Sequence, residues 1–218
     1  MEEVFMSVRR LPVYLALDTS GSMRGEPIQA VNVGLHALLA SLRQNPFALE
    51  SVNLAIITFD GKINQVLPLT PVEHVVLPEI VCPESGPTFL GEALNYICDQ
   101  VERDVQKSTP EHKGDWRPLL FIMTDGKPSD TQVYNEAIPR VHQTNFAAVI
   151  ACAAGPKSVP DQLKQLTPRV VSLDTMDSTG FSSFFQWVSS AVTAGSASVG
   201  AVGGLDLPPP PAEIQIVV

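Results

Sequence analysis

Near-continuous apolar runs alternate along this chain with stretches in which apolar residues recur every three or four positions. Residues 12–18 (PVYLALD), 52–59 (VNLAIITF), 119–124 (LLFIMT), 146–153 (FAAVIACA) and 170–173 have the length and continuity of strands buried on both faces. Helical spacing carries Val31, Leu35, Leu38 and Leu42 after Pro27, then Leu90, Leu94, Ile97 and Val101, and last Phe181, Phe184, Val188 and Val192, with Asp177 or Ser178 as the cap. Shorter helices fit 131–142 and 162–166. Residues 62–69 follow an Asp60-Gly61 turn signal, so this strand is expected to run antiparallel to 52–59, and 68–87 is Pro-rich loop. Strand–helix alternation of this kind predicts an α/β domain with a mainly parallel sheet, helices on both faces and one antiparallel edge strand.

From Ala194 the pattern fails. Residues 1–194 read as the domain and 195–218 as a tail: a small-residue flexible stretch at 195–204, an extended polyproline segment at 208–211, and a strand-prone end, EIQIVV. That end is expected to add to this sheet's edge or to pair with another chain.

Charge narrows the partners. The chain's 14 basic and 23 acidic residues give a net charge of −9, which argues against broad nucleic-acid or anionic-membrane binding. The first ten residues hold Glu2 and Glu3 and no apolar run, so no secretory signal is expected, and no stretch reaches membrane-span length. Cys82, Cys98 and Cys152 are odd in number and lack CxxC spacing, which reads as reduced thiols in a cytoplasmic protein.

The strongest local signal is Asp18-Thr19-Ser20-Gly21-Ser22, directly after the first strand. In an open parallel sheet, ligands bind beyond the carboxyl ends of the strands. An acid and two hydroxyls at alternate positions of one loop offer only oxygen, which suits a hard cation such as Mg²⁺. The plainer reading is a helix-capping loop, where Ser and Asp occur for backbone reasons. Asp125-Gly126 leaves the strand 119–124 at an equivalent place, as a second acid or as a turn pair. Thr88, in Ser85-Gly86-Pro87-Thr88, precedes a helix as a third element or as a cap. Arg24 and Lys127 lie beside these loops, either steering an acidic partner or merely solvated. The four histidines, His36, His74, His112 and His142, show no metal-ligand spacing, and Trp116 and Trp187 read as packing residues.

Taken together, Asp18-x-Ser20-x-Ser22, Thr88 and Asp125 resemble the metal-ion-dependent adhesion site of the von Willebrand factor type A domain, over about residues 11–192. The resemblance implies a six-stranded, Rossmann-like sheet with a divalent ion on top: Mg²⁺, or another such as Mn²⁺ or Ca²⁺. It implies Ser20 and Ser22 as direct ligands, Thr88, Asp18 and Asp125 as direct or water-mediated ones, and a partner's Asp or Glu carboxylate at the remaining position. The stretches LDTSGSMRGEPI, FDGKINQVLPLT, GDWRPLLFIMTDGKPSD and VIACAAGP further resemble TerY-type proteins of bacterial tellurium-resistance clusters. This implies, by association, a stress-response setting with a serine/threonine phosphatase and a kinase-like protein as partners.

The function expected is a metal-dependent protein–protein interaction module, not an enzyme. A phosphohydrolase using Asp18 is the enzymatic alternative, but aspartyl phosphatases place a second Asp two residues on, where Ser20 stands. Neither a P-loop nor a GxSxG elbow is present. A structural subunit whose metal only staples its loops is the third reading.

Overall fold

In the computed structural model, the described residues are 9–84, 86–111, 113–155, 158–197 and 208–217. Ser85, His112, Pro156, Lys157, residues 1–8 and 198–207, and Val218 lie outside them, and with them most of the 195–204 stretch. The chain forms β1 (Leu11–Asp18), α1 (Glu26–Gln44), α2 (Pro46–Ser51), β2 (Val52–Phe59), β3 (Ile63–Pro71), α3 (Leu90–Asp104), β4 (Leu119–Thr124), α4 (Thr131–Gln143), β5 (Ala148–Ala154), α5 (Pro160–Leu166), β6 (Val170–Leu173), α6 (Ser178–Ala197) and β7 (Ile214–Ile216).

One sheet of order β3-β2-β1-β4-β5-β6-β7 holds every strand of the described residues. The five central strands are parallel, while β3 pairs antiparallel with β2 and β7 antiparallel with β6. The expected mainly parallel sheet with an antiparallel edge at β3 is present; among the described residues it has seven strands rather than six, and the added β7 makes the other edge antiparallel as well. The seventh is the three-residue Ile214–Ile216 at the chain's end, which takes the open side of β6 and buries Ile214.

Period-two alternation splits each central strand between two cores. Leu11, Val13, Leu15 and Leu17 of β1 and Leu119, Phe121 and Met123 of β4 face α1, α2 and α6. Tyr14 and Ala16, with Leu120 and Ile122, face α3, α4 and α5. Close approach of the covering helices depends on two glycines. A Cβ on Gly34 of α1 would overlap the Phe185 ring of α6, and one on Gly91 of α3 would overlap the backbone of α4 at Tyr134.

Several boundaries differ from the pattern-based expectation. Helix α2 is capped by Asn45, whose side chain accepts a 3.0 Å hydrogen bond from the Ala48 amide, and begins at Pro46. Strand β3 runs on to Pro71, past the expected 69 and into the stretch expected as loop, and a single 3-10 turn, Val72–His74, follows. Helix α6 starts at Ser178, with Asp177 accepting from the Gly180 amide at 2.9 Å, and its backbone continues through 194 to Ala197.

Candidate functional site

Strands β1 and β4 are neighbours, in register at Leu17 and Met123, so their carboxyl ends lie side by side. The chain leaves β1 for β2 on one side of it, and β4 lies on the other. This is the topological switch point of the sheet, where the loops part and leave a crevice. Asp18 is the last residue of β1 and Asp125 follows β4 directly.

Asp18 is fully buried. Its Oδ1 accepts from the Ser20 amide at 2.8 Å, and its Oδ2 accepts from Thr124 Oγ1 at 2.6 Å. Burial drives its carboxyl up to about 6; the bonds from Thr124 and Ser20 pull it down, and the charge of Asp125 adds to the rise. Above that pH the strand end holds a poorly solvated negative charge, which a cation would relieve.

The loop after Asp18 folds back as a 3-10 turn, Gly21–Met23, and brings the hydroxyls of Ser20 and Ser22 to 3.2 Å. Ser22 Oγ donates to Asp125 Oδ1 at 2.9 Å. Three oxygens from two loops thus stand in a run with spacings of 3.2 and 2.9 Å. Adjacent ligands of an octahedral Mg²⁺, each about 2.1 Å from it, are about 3 Å apart. The spacing and the all-oxygen donor set both fit a hard divalent ion. Among the described residues no group of three or more His, Cys, Asp or Glu has the arrangement of a metal site; the oxygen run here holds two hydroxyls and one carboxylate.

Thr88 is buried at the same pole. Its amide donates to Ser129 Oγ at 3.0 Å, its carbonyl accepts from the Ser129 amide at 2.8 Å, and Gly126 lies beside its hydroxyl. It caps no helix, because α3 starts from Phe89. Hydrogen bonds therefore join Asp18, Ser20, Ser22 and Asp125, while Thr88 is held next to the Asp125–Gly126 turn with no hydrogen bond from its hydroxyl to the other four.

Three residues that pattern reasoning passed over hold these loops. Thr124 clamps Asp18, Ser129 fixes Thr88, and Asp60 accepts from Thr19 Oγ1 at 3.0 Å while its carbonyl accepts from the Phe89 amide at 3.1 Å. Asp60 ends the β2 run at the same pole as Asp18; that position was the available signal, and the turn pair Asp60-Gly61 hid it. Arg24 and Lys127 are both exposed at the rim. Cys82 is half-buried near Asp18, and its thiol is pushed up to about 11 by burial first and then by the charges of Asp18, Asp60 and Asp125. All three cysteines are free.

Known proteins place this architecture. The description of the von Willebrand factor type A domain matches residues 13–184. Among solved structures, proximal thread matrix protein 1 from the mussel byssus, in a form with a zinc-occupied MIDAS motif, is 17% identical, with a TM-score of 0.62 over 84% of this chain and 48% of its own. A von Willebrand factor type A protein from Catenulispora acidiphila is 14% identical, with a TM-score of 0.64 over 85% of this chain and 43% of its own. BatB from Bacteroides thetaiotaomicron is 16% identical, with a TM-score of 0.55 over 86% of this chain and 99% of its own. The chain thus spans less than half the length of the first two, and at these identities the likeness is one of fold. A comparison with curated protein sequences gives no match.

Proposed function

The chain belongs to the von Willebrand factor type A domain family, and on that premise we propose that it is a metal-dependent protein-binding module. In this reading Asp18, Ser20, Ser22, Thr88 and Asp125 hold one divalent ion, Mg²⁺ by preference, and a partner's Asp or Glu carboxylate completes the site. The observation that carries it is the run of Ser20, Ser22 and Asp125 oxygens at ligand spacing, backed by the buried Asp18 carboxylate.

A bound divalent ion with a replaceable water supplies affinity for a carboxylate oxygen. The chain's own residues do the rest. Asp18 and Asp125 bring negative charge to one face of the switch-point crevice. Thr124 and the Ser20 amide keep Asp18 from swinging outward. Asp60 ties the β1 loop, through Thr19, to the segment carrying Thr88. The N-terminus of α1, just beyond the same loop, favours an incoming anion over a cation, which suits a partner carboxylate as the last group to arrive.

Two features support binding over catalysis. Asp18 is buried with both oxygens accepting hydrogen bonds, an arrangement unlike that of a nucleophile waiting for a phosphoester. Among the described residues no imidazole stands at the loops; their ionisable side chains are carboxylates, the exposed rim cations Arg24 and Lys127 and the raised thiol of Cys82. The mussel protein's zinc-occupied motif shows an ion other than Mg²⁺ in a related site, so the metal comparison includes zinc beside Mg²⁺, Mn²⁺ and Ca²⁺.

The four stretches that resemble TerY-type proteins suggest a tellurium-resistance or stress phosphosignalling complex as the setting, with a serine/threonine phosphatase and a kinase-like chain as candidate partners. The free cysteines suit a cytoplasmic location, and among the described residues no helix is long and apolar enough to cross a membrane. Affinity capture from native extract with Mg²⁺, then with chelator, tests the reading. Partner recovery that needs metal and fails in Thr88→Ala supports it; metal binding without metal-dependent capture reduces the ion to a staple.

A further inference from the structure

At the opposite pole, beyond the amino ends of β1 and β4, the ends of α3 and α4 and the segment entering β4 line an open cleft of about 690 Å³. Its size is that of a ligand or side-chain pocket. Val101, Val105, Trp116 and Pro118 supply apolar wall, and the Arg9 guanidinium lies 3.5 Å above the centre of the half-buried Trp116 ring. Arg9 is held there by bonds to the carbonyls of Gly114 and Asp115. A tryptophan stacked and fixed in this way is the kind of anchor that dominates protein interfaces.

The walls are cationic in a chain of net charge −9. Arg9, Lys107, Arg117 and Arg140 face Glu102 and Asp115. Both acids are engaged within the chain: Asp115 receives Arg10 and the Gln106 amide, and Glu102 lies 3.6 Å from Arg140. Arg140 is also committed to Asp99 and the Asn95 carbonyl. Arg117 bonds the Phe146 carbonyl, yet among the described residues neither it, Arg9 nor Lys107 has a carboxylate within ion-pair distance. The carbonyl ends of α3 and α4 favour cations nearby, which accounts for Arg140 on α4. Lys107 and Arg117 lie outside both helices, so their charge is left for a ligand. These three cations, without a carboxylate partner among the described residues, stand on separate segments, before β1, after α3 and before β4, around the apolar wall. A single small anion could meet only part of that set.

We infer that this pocket is a second, metal-independent docking site for a partner polypeptide segment in which acidic side chains flank a large apolar one. The eight residues of β1 separate it from the metal loops by roughly 25 Å at a strand's rise per residue. One chain could therefore hold two partners at opposite poles.

The test is fluorescence anisotropy on the full chain in EDTA, with a labelled Glu-Glu-Leu-Phe-Glu peptide and its Lys-Lys-Leu-Phe-Lys counterpart as probes. The acidic peptide should bind, weaken as salt rises, and quench Trp116 emission, a change that Trp116→Phe abolishes while Trp187 still reports. The basic peptide, and the Lys107→Glu/Arg117→Glu double variant with the acidic one, should each bind at least roughly tenfold more weakly. Circular dichroism and Mg²⁺ affinity of the double variant should match the parent chain, and its melting temperature should fall by no more than a few degrees, for the loss of the Arg117 bond to the Phe146 carbonyl. Equal affinity of parent and double variant, absence of salt-sensitive binding, or binding that appears only with Mg²⁺ would overturn the inference. Tighter peptide binding by a chain lacking residues 1–8 would hand the pocket to the chain's own start. A dimer dissolved by the double variant would hand it to a second copy. Either result also overturns it.

Discussion

Replacing Asp18 with Asn separates the cost of the buried charge from its use. The carboxyl is raised from 3.8 to about 6, chiefly by burial, a difference of about 3 kcal/mol against the charged form at neutral pH. A raised carboxyl favours the folded chain below its ordinary value, and that contribution is lost as pH climbs from about 4 to about 6. The Asn side chain keeps an oxygen for the Ser20 amide but offers Thr124 an NH₂ in place of its 2.6 Å acceptor, a loss of about 1 kcal/mol. The balance is a net gain of about 1–2 kcal/mol in metal-free buffer at neutral pH, or about 3–6 °C in melting temperature for a chain of this size. Added Mg²⁺ should then stabilise the parent chain, by about 2.7 kcal/mol at a hundredfold excess over its dissociation constant, and leave Asp18→Asn nearly unmoved. Urea or thermal melts of both chains, in EDTA and in Mg²⁺, at about pH 7.5 and about pH 4.5, read all of this. In EDTA the variant's advantage should shrink toward acid pH. A variant less stable than the parent in EDTA at neutral pH, by an amount that does not change with pH, would refute the electrostatic reasoning.

Thr88→Ala should melt within about 1 kcal/mol of the parent in EDTA and lose roughly tenfold or more in Mg²⁺ affinity by calorimetry. Thr124→Val removes the donor to Asp18, so it should cost about 1–3 kcal/mol at neutral pH in metal-free melts, and less once Asp18 is protonated. Gly91→Ala drives a Cβ into the α4 backbone and should cost about 1–3 kcal/mol in urea unfolding, with the metal loops unaffected at their own end of the sheet. Ile214→Ala should cost about 2–4 kcal/mol and speed amide exchange in β6, because Ile214 is the one buried side chain that anchors the seventh strand.

The central sheet could be read from sequence because β1, β2, β4 and β5 are apolar almost without interruption, and such runs have few other stable uses. Helix α2 could not: six residues, PFALES, are too few to show a period, and its mark is the local Asn45 cap. The β6–β7 pairing joins two short strands some forty residues apart in sequence, and nothing in EIQIVV says which edge it meets. The loops of Asp18, Ser20 and Ser22 and of Asp125 could be placed at one pole because each follows a buried strand, and Thr88 joined them only through the family motif. Thr124 and Asp60 were not legible, since each reads locally as a strand end or a turn residue and acts only through a contact across the sheet. The cationic pocket draws on four separate segments, and no window of sequence contains it.

The most direct test of the central claim is the position of a bound ion. Crystals grown with Mn²⁺ and measured for anomalous scattering should show one strong peak per chain, in contact with the hydroxyls of Ser20 and Ser22 and within reach of Asp125, Thr88 and Asp18. The same experiment on Asp18→Ala should show none. A peak elsewhere, or an undiminished peak in Asp18→Ala, would contradict the account.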